Sequence, residues 1–205
     1  MNFALTLTPY KDRAFDTISI PLGLAWLYSY LSREIPSLDI EIFDFLLEPE
    51  LEDSFYEQIR GGRYDVVGIQ AHSNATAHEA VRIAKLVKSI NTHITIIIGG
   101  NAATFAPTYF LASKAVDFVV FGEGELTLKE LLTKLNNREK DFGDVNGIAY
   151  LSEKGLVKTP ARELIRDLNS LPLPDRTQPL YRKNRVFVFK SIVACNRLKP
   201  KSKQT

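Results

Sequence analysis

Polar residues able to bind or react gather in four short stretches, and two of these are built around glycine. The glycine stretches are Gly99-Gly100-Asn101-Ala102-Ala103-Thr104 and Gly122-Glu123-Gly124-Glu125-Leu126-Thr127. The other two are Thr8-Pro9-Tyr10-Lys11-Asp12-Arg13 and Ala71-His72-Ser73-Asn74-Ala75-Thr76. They offer hydroxyls at Ser73, Thr76 and Thr104, an amide at Asn74, and backbone N–H groups that glycine leaves approachable. This inventory suits a bulky polar ligand held by many neutral hydrogen bonds. It suits hydrolysis poorly, because no nucleophile stands beside a base. Glu123 and Glu125 are spaced like an acid–base pair, but negative charge at a helix N-terminus accounts for them equally well. His72 is a lone loop histidine without a second ligand type beside it, so it reads as a polar loop residue. His78 and His93 read as surface residues. Gly-x-x-x-x-Gly-Lys-Ser/Thr and Gly-x-Gly-x-x-Gly are both absent, which argues against a P-loop NTPase and a nicotinamide fingerprint. Asp12 and Asp16 do not match the arrangement of a phospho-acceptor site.

Each glycine stretch follows a β-branched or apolar run, Ile94–Ile98 or Phe118–Phe121, and precedes helical spacing. Residues 3–8, 39–44 and 65–70 read as three earlier strands. Helical periodicity links them at Ile20, Leu24, Leu27, Tyr28 and Leu31, then at Leu51, Phe55 and Ile59, then at Ala77, Ala80, Val81, Ala84, Val87 and Ile90. Ser19 is the expected cap of the first helix, with Pro21 in its first turn. A short helix is expected from about 107 to 113, and a last one through Leu128, Leu131, Leu132 and Leu135. Helical crossovers between successive strands imply a parallel sheet. The expected fold is therefore α/β, a doubly wound five-stranded parallel sheet in the flavodoxin-like order 2-1-3-4-5. Its ligand crevice would lie where the first and third strands diverge. A β-hairpin is expected at 145–158, turning at Ser152-Glu153-Lys154-Gly155. An extended linker through Leu171-Pro172-Leu173-Pro174-Asp175 and a further strand at Val186–Ala194 follow.

Composition narrows the class. Charged residues make up 24% and apolar residues 45% of 205 positions, as in a packed globular chain. No apolar run approaches the ~18 residues of a membrane span, and the N-terminus lacks a secretory pattern, so a cytoplasmic location is expected. Residues 176–205 hold nine basic side chains and no acidic one, leaving 17 basic against 24 acidic before them. The basic tail reads as a solvated chain end, and nucleic acid is not expected as a partner. Cys195 is the only cysteine, which excludes a multi-cysteine metal site within the chain.

An ordered series of residues carries a family resemblance. It runs Pro21-Leu22-Gly23-Leu24, Val67-Gly68-Ile69, Gly99-Gly100 with Ala103-Thr104, Pro107, Val116–Val120, Gly122–Glu125 with Thr127, and Glu130-Leu131-Leu132. Gly147–Tyr150 and Asp167-Leu168 with Leu171–Arg176 complete it. The series resembles the N-terminal half of cobalamin-dependent radical SAM proteins over roughly residues 3–197. The resemblance implies a Rossmann-like cobalamin-binding domain at 1–138, a hairpin and linker at 139–197, and a basic tail at 198–205.

The radical SAM barrel of such proteins opens with Cys-x-x-x-Cys-x-x-Cys, which holds a [4Fe–4S] cluster that reduces SAM. Ser191–Arg197 looks like the strand entering that motif, but the motif itself is missing, and one cysteine cannot hold a cubane cluster. A truncated gene product or a standalone binding domain would each explain this. The resemblance thus implies a module that is not catalytic by itself. The iron–sulfur cluster and SAM would belong to a full-length relative or to a separately encoded barrel. The Asp-x-His-x-x-Gly found in methionine-synthase-like domains is also absent, so no histidine of the first loop would ligate cobalt. The cofactor-binding set the resemblance implies is Thr8, Pro9, Tyr10, Arg13, Ser73, Asn74, Thr76, Gly99, Gly100, Asn101, Thr104, Gly122, Glu123 and Gly124. The alternative is a vestigial or protein-interaction domain that keeps the fold without cobalamin.

Overall fold

The computed structural model describes residues 1–8, 21–45 and 50–175. Strands β1 (Asn2–Leu7), β2 (Asp39–Asp44), β3 (Val66–Gln70), β4 (Thr95–Gly99) and β5 (Phe118–Val120) form the parallel part of one sheet. The helices between them are α1 (Leu22–Glu34), α2 (Leu51–Arg60), α3 (Asn74–Ile90), α4 (Asn101–Phe105) and α5 (Pro107–Leu111), and α6 (Gly124–Asn136) follows β5. Strands β6 (Ile148–Ser152) and β7 (Gly155–Lys158) are antiparallel. The order is β2-β1-β3-β4-β5-β6-β7, so the expected 2-1-3-4-5 arrangement is present. The hairpin does not stand apart from it. β6 pairs with β5, Phe118 opposite Tyr150, and extends the sheet to seven strands.

Alternation along the strands divides the core into two layers. Phe3, Leu5, Val66, Ile97, Phe118 and Val120 face α1 and α6. Ala4, Phe43, Val67, Ile69, Ile96, Ile98 and Val119 face the other side, with residues of α2, α3, α4 and α5. Burial on both faces is why β1, β3 and β4 read as nearly continuous apolar runs. Thr6 is fully buried within β1, and its hydroxyl donates to the Gly68 carbonyl at 3.3 Å.

Two helix boundaries differ from expectation. The short helix expected at 107–113 is α5, and an unexpected single turn, α4, precedes it, the two separated at Ala106 (φ −135°, ψ 59°). Pro107 forces this break, because its ring disfavours helical backbone at the residue before it. Pro21 stands just before α1 rather than inside its first turn, and its carbonyl accepts from the Ala25 N–H at 3.1 Å. Ser19 and the strand expected at 186–194 lie outside the described residues. No helix among the described residues is long and apolar enough to cross a membrane.

Candidate functional site

β1 leads to β2 on one side while the chain continues from β3 on the other, so the edge opens between β1 and β3. A cleft of about 250 Å³ lies there, on the α1/α6 face and reaching the C-terminal strand ends. Its floor is Phe3 and Leu5 of β1, Gly68 of β3 and Ile97 of β4. Leu24 and Leu27 of α1 and Leu128 of α6 form its walls. Gly99, Gly100, Gly122, Glu123 and Gly124 form its rim.

Glycine shapes this site by what a side chain would strike. A Cβ on Gly68 would stand 2.8 Å from Phe3 Cζ and 2.9 Å from Leu5 Cδ2. Gly100 has φ +98°, and a Cβ there would lie 2.7 Å from the Ala71 carbonyl oxygen. That approach lets the Ala71 N–H donate to Gly99 (2.8 Å) and the Ala71 carbonyl accept from Ala102 (3.1 Å), which locks two loops of the edge together.

The threonine hydroxyls of the expected set serve the protein itself. Thr8 Oγ1 donates to the Gln70 carbonyl at 3.1 Å. Thr76 Oγ1 accepts from the Ser73 N–H at 3.1 Å, part of the cap of α3. Thr104 Oγ1 donates to the Gly100 carbonyl and accepts from the Gly122 N–H, both at 3.1 Å, and so ties one glycine loop to the other. Gly99, Gly100, Gly122, Glu123 and Gly124 line the cleft. Thr8, Ser73, Asn74, Thr76, Asn101 and Thr104 share its edge without lining it. Asn74 and Asn101 stand exposed at the first positions of α3 and α4. Pro9, Tyr10 and Arg13 lie outside the described residues.

Glu123 does not cap α6 with its side chain. Its carboxylate accepts from the Ile165 N–H at 2.7 Å, because an extended chain segment brings an otherwise unmade donor beside it. This strap continues across both cleft helices. Arg162 donates to Thr127 Oγ1 at 3.0 Å and pairs with Glu130 on α6. On α1, Arg33 donates to the Ser170 carbonyl at 3.0 Å and Trp26 Nε1 to the Pro172 carbonyl at 2.8 Å. Lys129 of α6 meets Glu34 of α1 at 2.7 Å. Bonding to Lys129, and then to Arg33, holds the Glu34 carboxyl below its ordinary value, and the Glu34 carboxylate raises Lys129 in turn.

Sequence reasoning missed Gln70. It lines the cleft, and its Oε1 is the one buried side-chain nitrogen or oxygen among the described residues with no hydrogen-bond partner. It also passed over Gly23 and Gly68 as site residues. A glycine inside a strand marks close backbone approach, and that signal was available at Gly68. His72, His78 and His93 are all exposed. No group of three His, Cys, Asp or Glu residues able to hold a metal ion occurs among the described residues.

Known proteins are similar to this chain in sequence and in fold. The B12 binding domain family matches residues 13–132, more than half of the chain. An uncharacterized methyltransferase of Pyrococcus horikoshii is 34% identical over 179 residues, covering 85% of this chain and 38% of that protein. The anaerobic magnesium-protoporphyrin IX monomethyl ester cyclase of Rubrivivax gelatinosus is 32% identical over 155 residues, 74% of this chain and 28% of that one. The chain thus spans well under half the length of these relatives. Among solved structures, the cobalamin-dependent radical SAM enzyme OxsB with aqua-cobalamin and S-adenosylmethionine bound superimposes with a TM-score of 0.74 at 22% identity. That match covers 92% of this chain and 25% of OxsB. The radical SAM methyltransferase TsrM of Kitasatospora setae, with cobalamin and a [4Fe-4S] cluster bound, gives 0.66 at 17% identity over 88% of this chain and 32% of TsrM. These likenesses describe a shared fold. The family match over residues 13–132 makes this chain a member of the B12 binding domain family, similar to the cobalamin-dependent radical SAM enzymes.

Proposed function

We propose that this chain binds cobalamin as the corrinoid module of a radical SAM methyltransferase-like protein. The corrin would lie across the C-terminal edge, over the glycine loops, with the nucleotide side arm in the cleft. The observation that carries this reading is the cleft at the β1/β3 divergence, whose floor Phe3 and Leu5 form by packing over the side-chain-free Gly68. Its volume is too small for a corrin, and its apolar walls suit a flat ring with few polar atoms. The unpartnered Gln70 Oε1 fits a ligand that brings a hydrogen-bond donor to the cleft. Gly99, Gly100, Gly122 and Gly124 would let backbone approach the ligand, and Ser73, Asn74 and Asn101 would contact polar groups on the corrin rim. Pro9, Tyr10 and Arg13 belong to the proposed set as the loop after β1.

Among the described residues, every group that lines the cleft lies within 1–138, and the binding role is assigned to that span. Bound cobalamin would supply group transfer at cobalt. The iron–sulfur cluster and SAM would be the business of a radical SAM barrel, in the same protein or separately encoded. Titration of the purified chain with hydroxocobalamin tests the reading. A saturable shift of the visible bands is expected, and no shift at saturating ligand would overturn it.

A further inference from the structure

We infer that Gln70 makes the cleft selective for corrinoids whose lower base carries a hydrogen-bond donor, an aminopurine rather than dimethylbenzimidazole. This rests on the reading that the cleft receives the nucleotide side arm. At about 250 Å³ it falls just below the ~300–1,000 Å³ of pockets for drug-sized ligands, so it admits one fused ring and little else. Leu5, Leu27, Ile97 and Leu128 supply apolar contact and no polar atom. Glu123 and Glu125 line the cleft at the start of α6, and Gln70 is the polar lining residue with a buried atom left unpartnered among the described residues. Its Nε2 stands 3.5 Å from where a Cβ on Gly23 would be, so the side chain reaches from the sheet across to α1. Its Oε1 is buried and lacks a donor.

A buried amide oxygen left unpaired carries a desolvation cost that a ligand donor removes. The exocyclic amine of an adenine-type base is such a donor. Dimethylbenzimidazole presents C–H groups, methyls and one ring lone pair, and leaves Oε1 unpaired. A site built to hydrogen-bond a ligand discriminates against the analogue that lacks the group.

Three corrinoids test this by visible-band titration: cobalamin, its adenine-containing analogue, and cobinamide, which has no nucleotide. The adenine form should bind the wild-type chain roughly tenfold more tightly than cobalamin, the effect of one buried hydrogen bond. Cobinamide should bind most weakly. Gln70→Leu should bring the adenine form and cobalamin to within about twofold, with circular dichroism checking the fold and Gln70→Met replacing it if it unfolds. Equal affinities for the two bases, or tighter binding of cobalamin, would overturn the selectivity and leave corrinoid binding standing. Cobinamide binding as tightly as the others would also overturn it, because no base would then be read. No binding of any of the three would overturn the parent reading and this inference with it.

Discussion

Replacing Gly68 by alanine probes the cleft floor with a single methyl group. Inside an ordinary strand the change stabilises, because glycine there costs roughly 0.5–1 kcal/mol relative to alanine. Here the new carbon would stand 2.8 Å from Phe3 Cζ and 2.9 Å from Leu5 Cδ2, against the ~3.5–4.0 Å at which carbon atoms pack. Phe3 is fully buried and Leu5 nearly so, which denies both an escape to solvent. Forcing an extra carbon into such a place costs about 1–3 kcal/mol. The loss outweighs the gain, leaving a net destabilisation of about 1 kcal/mol and a Tm lowered by roughly 2–4 °C. Phe3 and Leu5 both border the cleft, so their displacement narrows it, and corrinoid affinity should fall along with stability. Scanning calorimetry and the hydroxocobalamin titration read the two effects. Gly61→Ala is the matched control. Its backbone is αR (φ −71°), and its added Cβ meets nothing closer than 3.5 Å, so a gain of about 0.4–1 kcal/mol is expected. A Gly68→Ala protein at or above the wild-type Tm, with unchanged titration, would refute the steric account of the floor.

Thr104→Val keeps the side chain's shape but removes both hydrogen bonds that join the glycine loops. A loss of about 1–2 kcal/mol is expected in denaturant unfolding, with faster amide exchange at Gly122. Glu123→Ala removes the acceptor for the Ile165 N–H, so exchange at Ile165 should speed up while the core strands keep their protection; unaltered exchange there would remove the strap's anchor on α6. The Lys129–Glu34 pair sets two pH limits. The Glu34 pKa is lowered in the fold, so its contribution is present above the unfolded carboxylate value and is lost as pH falls through the depressed one. The Lys129 pKa is raised, so its contribution is full below the unfolded lysine value and is lost as pH rises through the elevated one. Lys129→Met should flatten both ends of the pH–stability curve relative to wild type, as followed by thermal melts across pH.

Much of the architecture was legible because it is written in local patterns. Ile94–Ile98 and Phe118–Phe121 announce buried strands by β-branched and apolar content, and Leu128, Leu131, Leu132 and Leu135 announce a helix by spacing. Ser152-Glu153-Lys154-Gly155 announces a turn, and β6 ends and β7 begins at its two ends. The short helix starting at Pro107 was legible too, but the single turn before it at Asn101–Phe105 was not. The candidate site was legible only as an edge: the glycine loops stood out, while the roles of their threonines did not. Thr8, Thr76 and Thr104 look alike as loop hydroxyls, and only the partners within 3.1 Å distinguish a ligand group from an internal brace.

By itself the sequence determined the alternation of strands and helices, the parallel sheet that such crossovers require, and glycines at the ends of β4 and β5. Tertiary structure alone decided that the hairpin joins the sheet beside β5, that the segment around 162–175 straps α6 to α1, and that Gln70 and Gly68 share a cleft. The physical reason is distance along the chain. Periodicity is a property of neighbours, whereas Trp26 and Pro172, 146 residues apart, meet only after the register of every intervening strand is set. The same holds for Phe3 against Gly68: a bare backbone there has meaning only once a ring from β1 lies across it.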